Sequence, residues 1–244
     1  MSDMTEQARP AAAHETSAAA PPAPTYLDFI FYKVENEFRR RPEEERQRAA
    51  LEFRDLLAHW GKSHDLRSYT CVGLRPECDF LLWLNSKEFE PQTRLATAIL
   101  GTRLGGYLKN THTFLGMTKH TPYFKRERPQ NFELGASSLK YLFVYPFTKT
   151  HAWYQLPFEE RQKMMGEHRT VATQFSKVLT NTVYNFGFGD YDFLLAFETD
   201  DPKEWNDCVQ KLREVKARVY TQVDVPIIPC MNVTYHELIE SLAL

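Results

Sequence analysis

Tyr26–Lys33 reads YLDFIFYK and Tyr141–Thr148 reads YLFVYPFT, and each is followed by a matching segment, PEEERQ from Pro42 and PFEERQ from Pro157. Both pairs lie 115 residues apart. Further along, Asp79-Phe80-Leu81-Leu82 returns as Asp192-Phe193-Leu194-Leu195 at an offset of 113, the slippage that one altered loop produces. The YL segments are rich in aromatic and β-branched residues, which suit strands. After each EERQ run the apolar residues fall at helical spacing. The first stripe is Ala49, Ala50, Phe53, Leu56, Leu57 and Trp60; the second is Met164, Met165, His168, Val171, Ala172 and Phe175. Both follow the spacing of one face of an amphipathic helix. Pro42 and Pro157 mark the helix starts, and the glutamates after them favour the positive end of the helix dipole.

Each half then reads strand, helix, strand, strand, helix, strand. In the second half strands are expected near 140–148, 181–187, 191–198 and 226–233, with the turn Gly187-Phe188-Gly189-Asp190 between the middle two and a shorter helix near 202–216. The second helix of the first half is expected near 91–107. This order is that of a ferredoxin-like α+β unit, with helices on one face of an antiparallel sheet. The chain therefore reads as a tandem duplication. A unit without cofactor is expected over 25–120, a polar, turn-rich connector over 121–139, and a second unit over 140–244. Residues 1–24 are rich in Ala and Pro, lack the apolar core of a signal peptide, and are expected to be disordered.

A length of 244 residues with 43% apolar content is enough for two such units. A net charge of −2 with no basic cluster argues against a nucleic-acid footprint. No apolar run is long enough to span a membrane. Cys71, Cys78, Cys208 and Cys230 form no CxxC pair, so zinc spacing is absent. They read as free thiols of a reducing, cytoplasmic compartment.

One residue breaks the repeat. At the offset of 115, His168 stands where the first half has Phe53. An imidazole on an apolar stripe is most often a core histidine bonded to a backbone carbonyl. A metal is the other partner that would satisfy it, and haem iron suits an aromatic, apolar pocket.

The run Tyr145-Pro146-Phe147-Thr148-Lys149, then Trp153-Tyr154, then Leu156 to Gln162, then Met164-Met165 and Glu167-His168 resembles the signature of the chlorite dismutase and coprohaem decarboxylase family. Gly187 to Asp190, Phe193 to Glu198, Leu212-Arg213 and Ala217-Arg218 continue it. The resemblance implies two ferredoxin-like domains per chain of the dimeric α+β barrel type, with haem (coprohaem or haem b) in the second, and a homopentamer. It makes His168 the proximal iron ligand. Tyr145 matches the tyrosine that becomes a radical during coprohaem decarboxylation, and Lys149 a lysine that contacts a propionate and assists catalysis. Arg218 matches a propionate-contacting arginine, and Trp153 a tryptophan beside the pocket. Over the iron the family's chlorite-decomposing members carry an arginine and one decarboxylase branch a glutamine; here Thr180 or Asn181 falls at that place, and no arginine lies between Lys177 and Asp200. His112 falls where the decarboxylases have a tyrosine. The resemblance thus points to peroxide-dependent decarboxylation of coprohaem. A non-catalytic haem-binding protein for sensing, transfer or storage is the alternative, and chlorite decomposition is disfavoured.

Overall fold

The computed structural model describes residues 23–123 and 139–243; the tail up to 22 and the connector from 124 to 138 lie outside the described residues. The first half runs β1 (Tyr26–Val34), α1 (Asn36–Arg39), α2 (Glu43–Gly61), β2 (Asp65–Thr70), β3 (Phe80–Ser86), α3 (Glu90–Leu100) and β4 (Leu108–Met117). The second runs β5 (Tyr141–Lys149), α4 (His151–Gln155), α5 (Phe158–Ala172), β6 (Leu179–Tyr184), β7 (Phe193–Thr199), α6 (Pro202–Leu212), β8 (Thr221–Val223), β9 (Ile228–Val233) and α7 (Tyr235–Ser241).

The expected order of elements is present in both halves, with shifted ends. The helix expected to 107 stops at Leu100, where Gly101 caps it, and a short 3-10 turn follows at Gly105–Tyr107. The helix expected to 216 stops at Leu212, and the chain continues as a 3-10 turn over Lys216–Tyr220. The strand expected over 181–187 is β6, which starts and ends earlier because residues 185–190 form the turn, with Gly187 at φ 78°. That left-handed conformation suits glycine, which lacks a Cβ.

Strand order explains how the halves meet. The first half pairs as β4-β1-β3-β2 and the second as β6-β7-β5-β9, the same antiparallel order twice. The two sheets join at both edges. β2 pairs with β9 from Ser68↔Val233 to Thr70↔Met231, and β4 meets β6 at Met117↔Tyr184. Eight strands therefore close into one barrel, joined by a three-pair ladder at one seam and a single pair at the other. β8 attaches to the end of β5.

Strand alternation then assigns every side chain a face. Leu27, Phe29, Phe31, Tyr69 and Trp83 fill the barrel interior from the first half, and Leu142, Val144, Val183, Leu194 and Ala196 from the second. Cys71 and Cys230 meet in this interior across the β2–β9 seam, with their sulfurs 3.6 Å apart; all four cysteines are free and buried. The outward faces of the strands are covered by helices. In the first half this layer is solid: Phe53 and Leu57 of α2 and Leu95 and Ile99 of α3 pack onto Ile30, Tyr32 and Val34. Helix α7, begun by a capping box between Thr234 and Glu237, crosses to that layer and adds Leu238 and Leu242 to it. Among the described residues no helix is long and apolar enough to cross a membrane.

Candidate functional site

The outward face of the second half is built differently from the first. Helix α5 occupies the place of α2 yet buries none of its residues fully. Between it and the sheet lies a cavity of about 390 Å³, within the range of small-molecule and cofactor sites (~300–1,000 Å³). Its floor is the outward face of three strands: Tyr145, Phe147 and Lys149 of β5, Thr180, Thr182 and Tyr184 of β6, and Phe193, Leu195 and Phe197 of β7. Met165, His168 and Arg169 of α5 form the facing wall. Trp153 of α4, Cys208 and Leu212 of α6, and Arg213, Arg218 and Asp224 beyond that helix complete it.

Each expected site residue can be placed. Tyr145, Lys149, Trp153, His168, Thr180 and Arg218 all line this one cavity, although they come from five separate segments. Asn181 does not. Adjacent strand residues face opposite ways, so Thr180 and Asn181 cannot both reach the cavity. Asn181 points into the barrel interior, where its side-chain amide donates to Glu198 Oε1 at 2.8 Å; its reading as a cofactor contact is corrected accordingly. His112, on β4, lies among Phe31 and Phe114 away from the cavity.

The duplication shows how the cavity's scaffold is held. The backbone N–H of Lys149 donates to Asp192 Oδ2 at 2.8 Å, as that of Val34 donates to Asp79 Oδ2 at 2.9 Å in the first half. The Tyr154 hydroxyl donates to the same Asp192 oxygen at 2.6 Å. The anchoring is thus shared between the halves, while the groups it presents differ. Ile30, Val34 and Phe53 of the solid half correspond to Tyr145, Lys149 and His168 of the hollow one.

Burial sets the protonation states. His168 is half-buried on the cavity wall, and burial, with Lys149 nearby, pulls its pKa down to about 4. Near pH 7 it is therefore a neutral imidazole with a lone pair free to bind metal. Lys149 is buried over the faces of Trp153 and Phe147, at 4.6 and 5.2 Å, and its Nζ donates to the Ala217 carbonyl at 2.9 Å. Burial and the positive charge of Arg218 lower its pKa to about 8, against the pull of Asp192. Tyr145 is stacked on Phe197 with centroids 5.8 Å apart; burial and then Asp224 raise its phenol well above the ordinary tyrosine value.

Several site residues were not singled out from sequence. Arg213 stood in the quoted motif without a role, and Asp224, Asp192, Tyr154 and Met165 were unassigned. The Asp79/Asp192 repeat was the one signal that could have found Asp192. Nothing local marks Asp224, whose carboxylate pairs with arginines six and eleven residues earlier.

Two antiparallel ferredoxin-like units closed into one barrel, with a helix-covered cavity in the second, define a protein of the dimeric α+β barrel class. The family model described as chlorite dismutase matches residues 46–233. The coproheme decarboxylase of Mycolicibacterium smegmatis is 31% identical over 175 residues, covering 71% of this chain and 75% of that protein. The chlorite dismutase of Ideonella dechloratans is 25% identical over 203 residues, covering 80% and 71%. A mutant chlorite dismutase from Candidatus Nitrospira defluvii superposes with a TM-score of 0.82 at 24% identity, over 90% of this chain and 96% of that one, a likeness of fold. The chain belongs to the chlorite dismutase family.

Proposed function

We propose that this protein is a haem-dependent oxidoreductase that removes propionate carboxylates from coprohaem with peroxide, giving haem b. The observation that carries the reading is the substitution pattern of the duplication. Where one half packs Ile30, Val34 and Phe53 into a core, the other lines a cavity with Tyr145, Lys149 and His168. The similarity to the M. smegmatis coproheme decarboxylase supports it.

The residues present fit a haem. His168 offers a neutral imidazole from the α5 wall, and the aromatic and aliphatic side chains suit a flat apolar ring. Lys149, Arg213 and Arg218 gather cations on the cavity wall, where the carboxylates of a porphyrin would pair with them. When bound, haem iron with peroxide supplies the oxidising equivalents. The chain's own residues do the rest. Tyr145 keeps its proton, so its phenol would yield a hydrogen atom, electron and proton together, to the oxidising equivalents that bound haem and peroxide supply, rather than a proton alone. Lys149 holds a proton whose affinity is close to neutral pH, so its Nζ can pair with a carboxylate or pass a proton to it. Trp153 covers the Lys149 ammonium and shields it from water.

Family resemblance supports assembly as a homo-oligomer, read as a pentamer, and the free thiols support a reducing, cytoplasmic compartment. A second reading, a haem-binding protein without turnover, is favoured by the hydroxyls of Thr180 and Thr182 on the β6 wall, which carry no charge toward a bound ligand.

One experiment separates the two. Purified protein is titrated separately with coprohaem and haem b, peroxide is added, and porphyrin mass is followed, for wild type beside His168→Ala and Tyr145→Phe. The enzyme reading expects a histidine-ligated spectrum lost in His168→Ala. It also expects stepwise loss of carbon dioxide in wild type, and bound but unconverted coprohaem in Tyr145→Phe. Binding without mass loss in wild type favours the second reading. Equal conversion by wild type and Tyr145→Phe removes the role given to Tyr145.

A further inference from the structure

Arg213 and Arg218 approach the cavity from different segments, one at the end of α6 and one in the 3-10 turn that follows. Left alone, two guanidinium groups on one wall would repel each other. A single carboxylate oxygen joins them: Asp224 Oδ2 lies 2.9 Å from Arg213 Nη1 and accepts a hydrogen bond from Arg218 Nη1 at 2.8 Å. Asp224 comes from a third segment, just past β8, and its side chain is about four-fifths buried. Each guanidinium carries five N–H donors in a planar fork. Among the described residues, the ion pairs of both guanidinium groups run through these Nη1 atoms to Asp224. The three groups together keep a net positive charge, and all three line the cavity. They line the same cavity as Tyr145, the group given the redox role, whose phenol feels Asp224, Arg213 and Arg218 electrostatically.

We propose that Asp224 is a positioning residue that sets the two arginine forks for carboxylate recognition, and that Arg213 binds a second porphyrin carboxylate beside the one bound by Arg218. The inference rests on the haem reading above and adds two residues to it. A positioning role and a mere charge balance predict opposite signs. Removing the Asp224 charge makes the wall more positive, so balance alone predicts tighter binding of an anionic porphyrin. Loss of fork geometry predicts weaker binding.

The test is an absorbance titration with iron coproporphyrin III and with its tetramethyl ester, which has the same ring and no free carboxylates. Wild type should bind the acid more tightly than the ester. Asp224→Asn and Arg213→Gln should each weaken the acid about tenfold, the loss expected of one charge-assisted contact, and leave the ester unchanged. Asp224→Glu should recover part of the loss. Thermal melts identify a variant that fails to fold, and Arg213→Gln, on a side chain that is 43% exposed, stands in if Asp224→Asn does. Equal or tighter binding of the acid by Asp224→Asn overturns the proposal, as does parallel weakening of acid and ester or an unchanged affinity in Arg213→Gln. If wild type binds neither porphyrin, the haem reading fails and the inference with it; if wild type binds the acid and the variants do not differ, the inference alone fails.

Discussion

Asp28 is a carboxyl group buried on the outward face of β1, in the solid half of the molecule. By the repeat it occupies the place of Phe143, and Gln92 that of Trp205. In the second half those two aromatics stack with centroids 5.1 Å apart. Asp28 Oδ1 and the Gln92 amide have no protein hydrogen-bond partner among the described residues. Burial raises the Asp28 pKa from 3.8 to about 7. The folded chain then binds more protons than the unfolded chain between those two values. The stability contributed by protonated Asp28 is complete below about pH 4 and is lost as pH rises through about 7. Asp28→Asn should melt at a higher temperature than wild type at pH 8, with the difference shrinking toward zero at pH 4. Parallel melting curves across that range would show that Asp28 ionises freely. None of this is visible in the local sequence, since YLDFIFYK alternates like any strand and gives no sign of what covers its second face.

At the scale of elements, α2 and α5 are the instructive pair. They share a proline start, an EERQ segment and an apolar stripe. Phe53 reaches the sheet and packs on Phe80 with centroids 5.9 Å apart, whereas His168 stops at the wall of a cavity. The stripe identifies the inward face of α5 without revealing that the face stands off from the sheet. Strand β6 carries the second lesson. Its alternation turns Thr180, Thr182 and Tyr184 to the cavity and offers no cation there. The cavity arginines stand elsewhere, Arg169 on α5 and Arg213 and Arg218 against Asp224. A positioned cation stabilises an oxyanion as its charge develops. With none on β6, this protein should release no oxygen from chlorite at a sustained rate when porphyrin is bound. An oxygen electrode checks this, and rapid, continuing evolution would mean that one of those other arginines can reach the reacting oxygen.

Across the whole molecule the halves are not separable. The barrel closes only when β2 meets β9 and β4 meets β6. Helix α7 follows the last strand of the second half and packs into the helical layer of the first, burying Leu238 and Leu242 there. The Tyr235 hydroxyl adds a 2.6 Å hydrogen bond to the Leu66 carbonyl. Leu238→Ala should therefore destabilise the protein by about 2–5 kcal/mol, the usual cost of truncating a fully buried leucine. Chemical denaturation should show one cooperative transition shifted to lower denaturant. Loss of the second half alone, with the first unaffected, would contradict the shared core.

The sequence by itself determined the duplicated α+β order, the helix and strand faces, and the place where His168 departs from Phe53. These are legible because backbone periodicity is local: a period of two or 3.6 residues is written in consecutive side chains. The resemblance it carried also brought together Tyr145, Lys149, Trp153, Thr180 and Arg218, which all reach one cavity. Tertiary structure alone decided that Thr180 faces that cavity and Asn181 the barrel, because facing depends on strand register. It alone showed that Asp224 gathers two arginines and that α7 belongs to the opposite half. The first depends on how the chain turns back on itself after α6 and the second on how distant segments pack, and a hollow between helix and sheet leaves no trace in either element's own pattern.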